Sequence, residues 1–364
     1  MTQPTLPFRV AAPGKLYVAG EYAVVTPGQQ AILIAVDRYM TVTVTHAEPT
    51  DAAEPTAHLL AHNHGVAATP DAAFGTDYAL AAWLVMDALR AERGLHRIPV
   101  DLHFESTLRD DNGDKYGLGS SGAATMSVIT AFDELYQLGL NAMQKLKLGI
   151  LASIEISPRA SGGDLAAGAL GGWVYYQAPD RDQLPRVLTN SSSVTDALSA
   201  PAWRPMRARR LPTPTDVQVL IGWTGSPAAT DQLVSQATNN GNGMDWEADF
   251  LRPSAANVTN LQLALADAKF PLIHAGIRTA RKILARMAAD TTTLIETPAL
   301  TTLIETAETF EGTSAKTSGA GGGDCGIVLA EPGVNAEAIY QAWRDHGIQP
   351  LPLAVTQRGA GRKE

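Results

Sequence analysis

Apolar and polar residues alternate in several short segments near the start of the chain. Lys15–Ala19 is predicted to be a short strand, Ala31–Val36 is apolar enough for a buried strand, and Met40–Thr45 alternates strictly. Val100–Phe104 alternates in the same way. Residues 46–75 are rich in Ala, Pro, His and Thr, and this composition predicts a surface hairpin or loop.

Apolar residues at helical spacing predict helices between and after these strands. The predicted helices are Tyr78–Arg93, Ser121–Leu138, Leu146–Ser157 and His274–Met287. The apolar side of the first is predicted to carry Leu80, Trp83, Leu84 and Leu89. Later strands are predicted at Gly172–Tyr176, Val217–Ile221 and Gly326–Ala330. Because helices and strands are mixed without strict βαβ alternation, the predicted fold class is α+β.

The chain is long enough for more than one domain. Its 364 residues favour two domains that share a cleft. A stretch rich in Pro, Ser and Arg at residues 179–214 is the predicted boundary region. We therefore predict an N-terminal domain of residues 1–185 and a C-terminal domain of residues 186–364.

The charge and composition of the chain limit the kinds of molecule that it is expected to bind. The formal net charge of -9 argues against a nucleic acid, because phosphate backbones select basic surfaces, but it permits a small anionic substrate in a local basic pocket. The single cysteine, Cys325, excludes an intrachain disulfide. The first residues lack an apolar signal segment and the apolar runs are too short for a bilayer, so we expect no membrane contact and a cytoplasmic location. The sequence does not define an oligomeric state.

The segment KYGLGSSGA (Lys115–Ala123) has the composition of a phosphate-binding loop. Its glycines allow positive φ and a close approach of the backbone to a ligand. Ser120 and Ser121 fall at the predicted helix start, where free N–H groups and the helix dipole favour an anion. A serine hydroxyl there can also ligate Mg²⁺ that bridges ATP phosphates. The structural alternative is a glycine-rich turn with a serine N-cap.

Two other nucleotide-binding motifs fit this chain poorly. Gly117–Gly122 matches G-x-G-x-x-G, but the dinucleotide fingerprint needs an acidic residue about 20 positions further on, at the end of the next strand. Residues 137–147 contain no acid, and Asp133 and Glu134 lie on the predicted helix itself. A Walker A sequence does not occur in the chain.

Two further segments combine glycine with lysine. APGKLYVAGEYAVV (Ala12–Val25) contains a Pro-Gly turn before a strand, and KTSGAGGGDCG (Lys316–Gly326) contains four glycines in five residues. Such a glycine run usually marks backbone that lies against a ligand. Lys15, Lys115 and Lys316 lie in or beside the three segments, where a lysine commonly holds a phosphate.

The three segments, in this order, resemble the motifs of the galactokinase, homoserine, mevalonate and phosphomevalonate (GHMP) kinase superfamily over nearly the whole chain. The opening APGKLYVAGEY, with Tyr22 where mevalonate kinases typically have His, is similar to the phosphomevalonate kinase family. So are GWTGSPAAT (Gly222–Thr230) and GAGGGDCG. One departure is Thr317, where the last family motif is expected to have proline, and it leaves the lysine and the glycines intact.

This resemblance implies a two-domain α+β fold that is ribosomal-protein-S5-like in its N-terminal part and ferredoxin-like in its C-terminal part. It implies transfer of a phosphoryl group from ATP to 5-phosphomevalonate, with Mg²⁺, in the mevalonate route to isoprenoids. Two alternatives stay open. One is mevalonate kinase or another hydroxyl-phosphorylating relative, and the other is a catalytically silent ligand sensor of the same fold.

The resemblance also implies roles for individual residues. Lys15 and Asp164 are the implied catalytic pair, and Ser121 is the implied Mg²⁺ ligand. The implied ATP phosphate site consists of Lys115, Gly117, Leu118, Gly119, Ser120, Ser121, Gly122 and Ala123. The implied acceptor site consists of Lys15, Lys115, Ser161, Ser226, Ser318, Gly319 and Ala320. Mevalonate kinases supply a further glutamate to the metal, but the spacing here differs, and Glu155, the nearest acid, is not assigned that role.

Overall fold

A computed structural model of the chain describes residues 5–47, 59–63, 66–68, 76–214, 216–228, 230–239 and 245–363. Its strands are β1 (Phe8–Ala19), β2 (Gln30–His46), β3 (Leu59–Asn63), β4 (Val66–Ala68), β5 (Val100–Ser106), β6 (Trp173–Gln177), β7 (Arg207–Arg210), β8 (Gln218–Trp223), β9 (Thr313–Thr317), β10 (Cys325–Ala330), β11 (Gln349–Leu351) and β12 (Gly361–Lys363).

The helices are α1 (Thr76–Glu92), α2 (Ser120–Tyr136), α3 (Ala142–Ile156), α4 (Gly163–Leu170), α5 (Val187–Asn190), α6 (Val194–Ala197), α7 (Thr230–Asn239), α8 (Arg252–Ala266), α9 (Phe270–Thr291), α10 (Pro298–Glu308) and α11 (Ala336–Asp345). In the part of the chain that the structure describes, none of them combines the length and the apolar composition that a membrane span requires.

The first sheet is organised around β2. Its strand order is β12-β1-β2-β5-β3-β4, and β6 pairs with both β2 and β7. Because β2 has 17 residues, it pairs with β6 near its start, with β5 near its end and with β1 along most of its length. Helices α2 and α4 pack on β1 and β2. This packing brings the start of each helix to the C-terminal half of β1, where Lys15 lies.

The second sheet has the order β11-β8-β10-β9, with all neighbours antiparallel. Helices lie between β8 and β9, and α11 lies between β10 and β11. A strand, helices, two strands, a helix and a strand in this sequence are typical of ferredoxin-like folds. The predicted α+β class and the ferredoxin-like C-terminal part are therefore confirmed.

The predicted strands and helices are present, with one difference in continuity. Ala31–Val36 and Met40–Thr45 belong to a single strand, β2. Pairing with β1 continues across the interval because the register shifts between Pro13 and Gly14, and this bulge absorbs the two additional residues of β2. In the predicted hairpin region, β3 and β4 pair antiparallel, and residues 48–58, 64–65 and 69–75 lie outside the described residues.

The predicted apolar side of α1 is partly wrong. Leu80 and Leu84 are 48% and 61% exposed. Leu89 is buried as predicted, and it shares the buried side with Ala82 and Met86. Helix α1 packs against both α2 and α3, and a small residue such as Ala82 permits that close approach. Packing therefore selects a face different from the one with the largest side chains.

The strands β7 and β12 follow residue 186 in the chain and pair with the first sheet. The C-terminal part of the chain thus contributes to both sheets. The domain boundary between residues 185 and 186 stays a prediction.

Candidate active site

The glycine-rich segments converge on a cavity of about 520 Å³, a volume within the range of small-molecule sites. Its wall includes Lys15 of β1, the loop around Gly119, the turn that carries Asp164, and the loop that starts at Ser318. These four segments are far apart in the sequence, and the two sheets with their helices bring them together.

The loop before α2 offers backbone N–H groups to an anion. Gly117 and Gly119 have φ of 79° and 78°, a region that glycine adopts readily and other residues avoid. Gly119 is the N-cap of α2 and has no side chain that could cap the helix. The first N–H groups of α2 therefore stay available for a ligand. Ser120 and Ser121 form the first helical residues, and both line the cavity.

Two of the loop glycines lie against charged side chains. A Cβ atom at Gly117 would be 2.3 Å from Cγ of Asp324, and one at Gly119 would be 3.0 Å from Cε of Lys15. Because any larger residue would displace these groups, glycine allows the loop to close on them. The anion-binding loop and the charged groups therefore form one compact unit.

Lys15 is fixed to this loop by its main chain and its side chain. Its N–H donates to the carbonyl of Leu118 at 2.8 Å, and its ammonium donates to the carbonyl of Gly117 at 3.0 Å. The ammonium also lies 5.5 Å from the centre of the Tyr17 ring. Since an ammonium has three donors, Lys15 can bind substrate oxygens while it stays bound to the loop.

Asp164 lies in the first turn of α4, after Gly162, whose φ is 79°. Its Oδ1 accepts the N–H of Leu165 at 2.9 Å. A Cβ atom at Gly122 would be 2.2 Å from its Oδ2. Burial raises the pKa of Asp164, and the positive charge of Lys15 opposes this shift. The carboxylate is therefore held beside the start of α2 within the electrostatic field of the lysine.

A hydrogen-bonded group joins β1 to the turn before α4 and to the third glycine segment. The hydroxyls of Tyr17 and Ser161 are 2.6 Å apart, and the Tyr176 hydroxyl donates to the Ser161 carbonyl at 2.9 Å. The N–H of Tyr17 donates to Oγ of Ser318 at 2.8 Å. Burial raises the pKa of both tyrosines, so their hydroxyls stay protonated. Ser161 and Ser318 are thereby fixed on the cavity wall.

In the glycine run of the third segment, the first glycine, Gly319, lines the cavity. A Cβ atom at Gly319 would meet no atom within 4 Å, whereas one at Gly321 would be 2.2 Å from the carbonyl oxygen of Ile295. A Cβ atom at Gly323 would be 2.3 Å from the carbonyl oxygen of Ser226. The expectation that the run lies against a ligand is therefore wrong for Gly321 and Gly323, which permit tight packing of backbone on backbone.

Lys316 lies outside the phosphate-binding group that the sequence predicted. It is 0% exposed, and it forms a buried ion pair with Glu21, which is 4% exposed. Its ammonium also donates to the carbonyl of Thr317. The expectation of a phosphate contact is wrong for this lysine, because its charge is neutralised inside the protein. The pair ties β9 to the segment that follows β1.

Most of the predicted site residues line the cavity, namely Lys15, Lys115, Gly117, Leu118, Gly119, Ser120, Ser121, Ser161, Asp164, Ser318, Gly319 and Ala320. Gly122, Ala123 and Ser226 lie outside the lining that the described residues form. Ser226 is exposed, and its carbonyl accepts the N–H of Asp324 at 2.8 Å. Glu155 is exposed on α3, also outside that lining.

The sequence analysis missed several charged residues of the wall, among them Asp324 and Arg181. Asp324 accepts the N–H of Ala228 at 3.0 Å, and burial raises its pKa although that N–H and the charge of Lys15 oppose the shift. Its place in the string GGGDCG was a usable signal. Arg181 lines the cavity and is 5% exposed. It lies in the stretch predicted as a boundary region, where no motif marks it.

The oxygen atoms on the cavity wall are suitable ligands for Mg²⁺ that arrives bound to a nucleotide. The hydroxyl-bearing Ser121 and the carboxylates of Asp164 and Asp324 line the same space. Mg²⁺ prefers oxygen ligands and usually combines one or two protein ligands with substrate phosphates. Among the described residues, no group of three or more His, Cys, Asp or Glu side chains would hold a metal ion by itself.

Two parts of the chain match models of one kinase family. Residues 77–172 match the GHMP kinases N terminal domain, and residues 272–349 match the GHMP kinases C terminal domain. The first match contains the helix-opening glycine loop and Asp164, and the second contains the third glycine segment. Fold and cavity together define the chain as a GHMP kinase.

Similar proteins indicate which family of GHMP kinases the chain belongs to. The phosphomevalonate kinase of Streptomyces sp. (strain CL190) is 39% identical, over 96% of this chain and 97% of the relative. The Lin0012 protein of Listeria innocua is 31% identical with a TM-score of 0.87, over 98% of this chain and 99% of that one. Streptococcus pneumoniae phosphomevalonate kinase, in complex with phosphomevalonate and AMPPNP, is 28% identical with a TM-score of 0.82, over 95% and 99%. The chain belongs to the phosphomevalonate kinase family.

Proposed function

We propose that the chain transfers the terminal phosphoryl group of ATP to 5-phosphomevalonate, with release of ADP and 5-diphosphomevalonate. One observation carries the proposal: the glycine loop that opens α2 packs directly on Lys15 and Asp164. This packing places an anion site beside a cation and a carboxylate. The choice of acceptor is supported by the two relatives that are phosphomevalonate kinases.

The ATP phosphates would lie at the start of α2. The backbone of Gly117–Ala123, with positive φ at Gly117 and Gly119, would supply N–H donors, and Lys115 would supply a positive charge. Ser121 is the residue that would hold Mg²⁺. When bound, Mg²⁺ neutralises charge on the phosphate oxygens.

The acceptor would lie in the same cavity, within reach of the lysines at this loop. Its proposed contacts in the cavity lining are Lys15, Lys115, Ser161, Ser318, Gly319 and Ala320. Ser226, which is exposed and lies outside that lining, stays a prediction from the sequence. Ser161 and Ser318 are held in place by Tyr17, so two hydroxyls are preorganised for a polar substrate. The O–H of Ser318 already donates to the carbonyl of Tyr17 at 2.9 Å, so Ser318 can only accept from a substrate. Preorganised polar groups lose little entropy on binding.

In the transfer step, an oxygen of the acceptor phosphate forms a bond to the γ-phosphorus of ATP, and the bond from that phosphorus to the bridging oxygen breaks as ADP leaves. A phosphate monoester has a second pKa of about 6, so the attacking oxygen is largely ionised at neutral pH. We infer that Lys15 neutralises charge shared by donor and acceptor. Asp164 orients Lys15 and the acceptor more than it removes a proton.

The test is ADP release by the purified protein with ATP, Mg²⁺ and one acceptor at a time. Turnover with 5-phosphomevalonate and negligible turnover with mevalonate is the expected result. Comparable turnover with mevalonate would favour a hydroxyl-phosphorylating kinase instead. Binding of 5-phosphomevalonate and ATP by calorimetry, without ADP release, would indicate a ligand sensor.

A further inference from the structure

Asp324 places a partly buried carboxylate on a stretch of backbone that suits glycine. Its φ is 54°, in the left-handed region, and four of the five residues before it are glycines. Its N–H donates to the carbonyl of Ser226 at 2.8 Å, and its carbonyl accepts the N–H of Thr224 at 3.0 Å. A glycine would make both bonds at a lower conformational cost. The side chain of Asp324 is therefore the feature that requires an explanation.

A carboxylate is not needed for the one hydrogen bond that this side chain makes. Its Oδ1 accepts the N–H of Ala228 at 3.0 Å, and its Oδ2 accepts no hydrogen bond within the part of the chain that the structure describes. Asparagine offers the same acceptor and also tolerates left-handed backbone. A charge removed from water costs free energy unless an opposite charge compensates it. The negative charge of Asp324 therefore requires a cation nearby.

Lys15 lies against the same glycine as this carboxylate. Its ammonium donates to the carbonyl of Gly117 at 3.0 Å, and a Cβ atom at Gly117 would be 2.3 Å from Cγ of Asp324. Burial raises the pKa of Asp324, and the N–H of Ala228, the charge of Lys15 and that of Lys115 oppose this shift. Among the described residues, no carboxylate oxygen lies within ion-pair distance of Lys15. The attraction therefore acts across a gap and leaves donors of the ammonium available for substrate.

Asp164 attracts the same ammonium from another segment. The two carboxylates lie against the phosphate loop at different points, because Asp164 is close to Gly122 and Asp324 is close to Gly117. A lysine has a flexible four-carbon stem, and a single carboxylate would draw its charge to one side. Two carboxylates at separate points instead hold the ammonium of Lys15 between them.

We propose that Asp324 is a positioning residue that holds the ammonium of Lys15 at the carbonyl of Gly117 during phosphoryl transfer. This inference rests on the proposed function, in which Lys15 neutralises charge shared by donor and acceptor. Asp324 itself contacts neither phosphate in this role, because a carboxylate repels phosphate oxygens. Its loss allows the lysine to adopt other rotamers. The effect therefore falls on the transfer step more than on substrate binding.

The kinetic test compares Asp324→Asn with a matched control. For Asp324→Asn we expect kcat to fall about 10-fold, within the range of couplings between neighbouring residues, while the KM values for ATP and 5-phosphomevalonate change less than about 3-fold. The control is Asp133→Asn, which removes the carboxylate that pairs with Lys145 outside the cavity lining and should leave kcat unchanged. A wild-type kcat in Asp324→Asn, or a change confined to KM, would overturn the proposal.

The Lys15→Met background shows whether Asp324 acts through the lysine. In single-turnover measurements with 5-phosphomevalonate, Asp324→Asn should have no further effect in that background, because no ammonium is left to position. A further loss of about 10-fold there would overturn the proposal. The Mg²⁺ concentration for half-maximal turnover should be the same in Asp324→Asn and the wild type. A higher requirement for Mg²⁺ would assign Asp324 to the metal instead.

Lysine side-chain signals in NMR test the contact between Asp324 and Lys15 without turnover. In protein labelled with ¹³C-lysine, the Cε signals of Lys15 and Lys145 are identified by their absence from Lys15→Met and Lys145→Met. Asp324→Asn should shift the Lys15 signal and leave the Lys145 signal in place, and Asp133→Asn should do the reverse. An unmoved Lys15 signal in Asp324→Asn would overturn the proposal, even if kcat falls.

Thermal unfolding separates positioning from support of the fold. At pH 8, Asp324→Asn should melt no lower than the wild type, because asparagine keeps the bond to Ala228 and removes a charge whose ionisation burial disfavours. A lower melting temperature together with an unmoved Lys15 signal would show that Asp324 only supports the fold. If the wild type releases no ADP with 5-phosphomevalonate, the proposed function fails while the NMR comparison still tests Asp324.

Discussion

Gly122 lies so close to Asp164 that a Cβ atom at position 122 would be 2.2 Å from Oδ2 of the carboxylate. The two residues belong to α2 and α4, and these helices pack against each other. A glycine at this point of contact lets α2 approach the carboxylate without a steric clash. The position of Asp164 therefore depends on a residue that lines no part of the described cavity.

Gly122→Ala should displace Asp164 and lower kcat. We expect a fall of about 100-fold, because a misplacement of about 1 Å in a reacting group has effects of that size. The matched control is Gly149→Ala in α3, where a Cβ atom would meet the flexible Met126 side chain at 3.2 Å. That variant should keep its kcat. Steady-state kinetics of both variants check the prediction, and wild-type kcat in Gly122→Ala would refute it.

Lys316→Met should destabilise the protein by leaving Glu21 buried without its partner. Breaking a buried ion pair on one side costs about 3–5 kcal/mol, which urea unfolding monitored by fluorescence can measure. The control is Arg344→Met, which breaks the exposed pair with Glu337 and should cost less than about 1 kcal/mol. The double variant with Glu21→Gln should recover much of the loss. Equal effects of Lys316→Met and Arg344→Met would contradict the buried-pair account.

The buried position of Lys316 shows what sequence patterns can and cannot predict. Its place beside a glycine run is the same local signal that Lys15 gives, and Lys15 does line the cavity. The difference is tertiary: Glu21, almost 300 residues away, lies where it neutralises Lys316. Local spacing predicted the strands and helices because hydrogen bonding and amphipathicity act over a few residues. It could not predict a partner that the fold supplies.

The same limit applies to the cavity wall. The helix-opening loop was predictable because glycines with positive φ and serines at a helix start have a recognisable pattern. Arg181 has no such pattern, since a lone arginine in a Pro- and Ser-rich stretch is usually exposed. Only its burial without an anion distinguishes it, and burial is a property of the packed structure.

Ser121→Ala should impair use of Mg²⁺-ATP more than Ser120→Ala. Both residues line the cavity. Ser121 is the proposed metal contact, and Ser120 is the more buried of the two, at 8% exposure. For Ser121→Ala we expect a loss of about 2–4 kcal/mol of transition-state stabilisation, as for one preorganised electrostatic group. The measurement is kcat/KM over a Mg²⁺ titration. Equal, small losses in both variants would indicate that the serines serve only the start of the helix.

Asp164→Asn should stabilise the ligand-free protein at neutral pH. Burial raises the pKa of Asp164, so ionisation in the folded state is less favourable than in the unfolded state. Stability is therefore lost as the pH rises through the raised pKa and regained as it falls below the usual aspartate range. Melting temperatures measured from pH 4 to pH 8 should show a gain for Asp164→Asn that grows with pH. A variant that is less stable than the wild type at pH 8 would contradict the sign of the shift.

Lys15 and Asp164 should act as one electrostatic unit in which the lysine is the more important member. If Asp164 were an obligatory base, Asp164→Asn would abolish turnover at every pH and Lys15→Met would be milder. Because a phosphate acceptor is already largely ionised at neutral pH, charge neutralisation is the greater need, and Lys15 supplies it from a position fixed by the carbonyl of Gly117.

We therefore expect Lys15→Met to lower kcat more than Asp164→Asn, with residual turnover in the latter. The double variant should lose little more than Lys15→Met alone, because groups that act as a unit are strongly non-additive. The measurement is a double-mutant cycle. It compares single-turnover rates with 5-phosphomevalonate for the wild type, the two single variants and the double variant. Additive losses, or an inactive Asp164→Asn beside an active Lys15→Met, would restore the general base. The dependence of kcat on pH adds an independent check. If Asp164 is a base, its ionisation produces the acidic limb of the profile, and Asp164→Asn would remove that limb. If Asp164 only orients its neighbours, the acidic limb is set by the acceptor phosphate and stays in place in the variant.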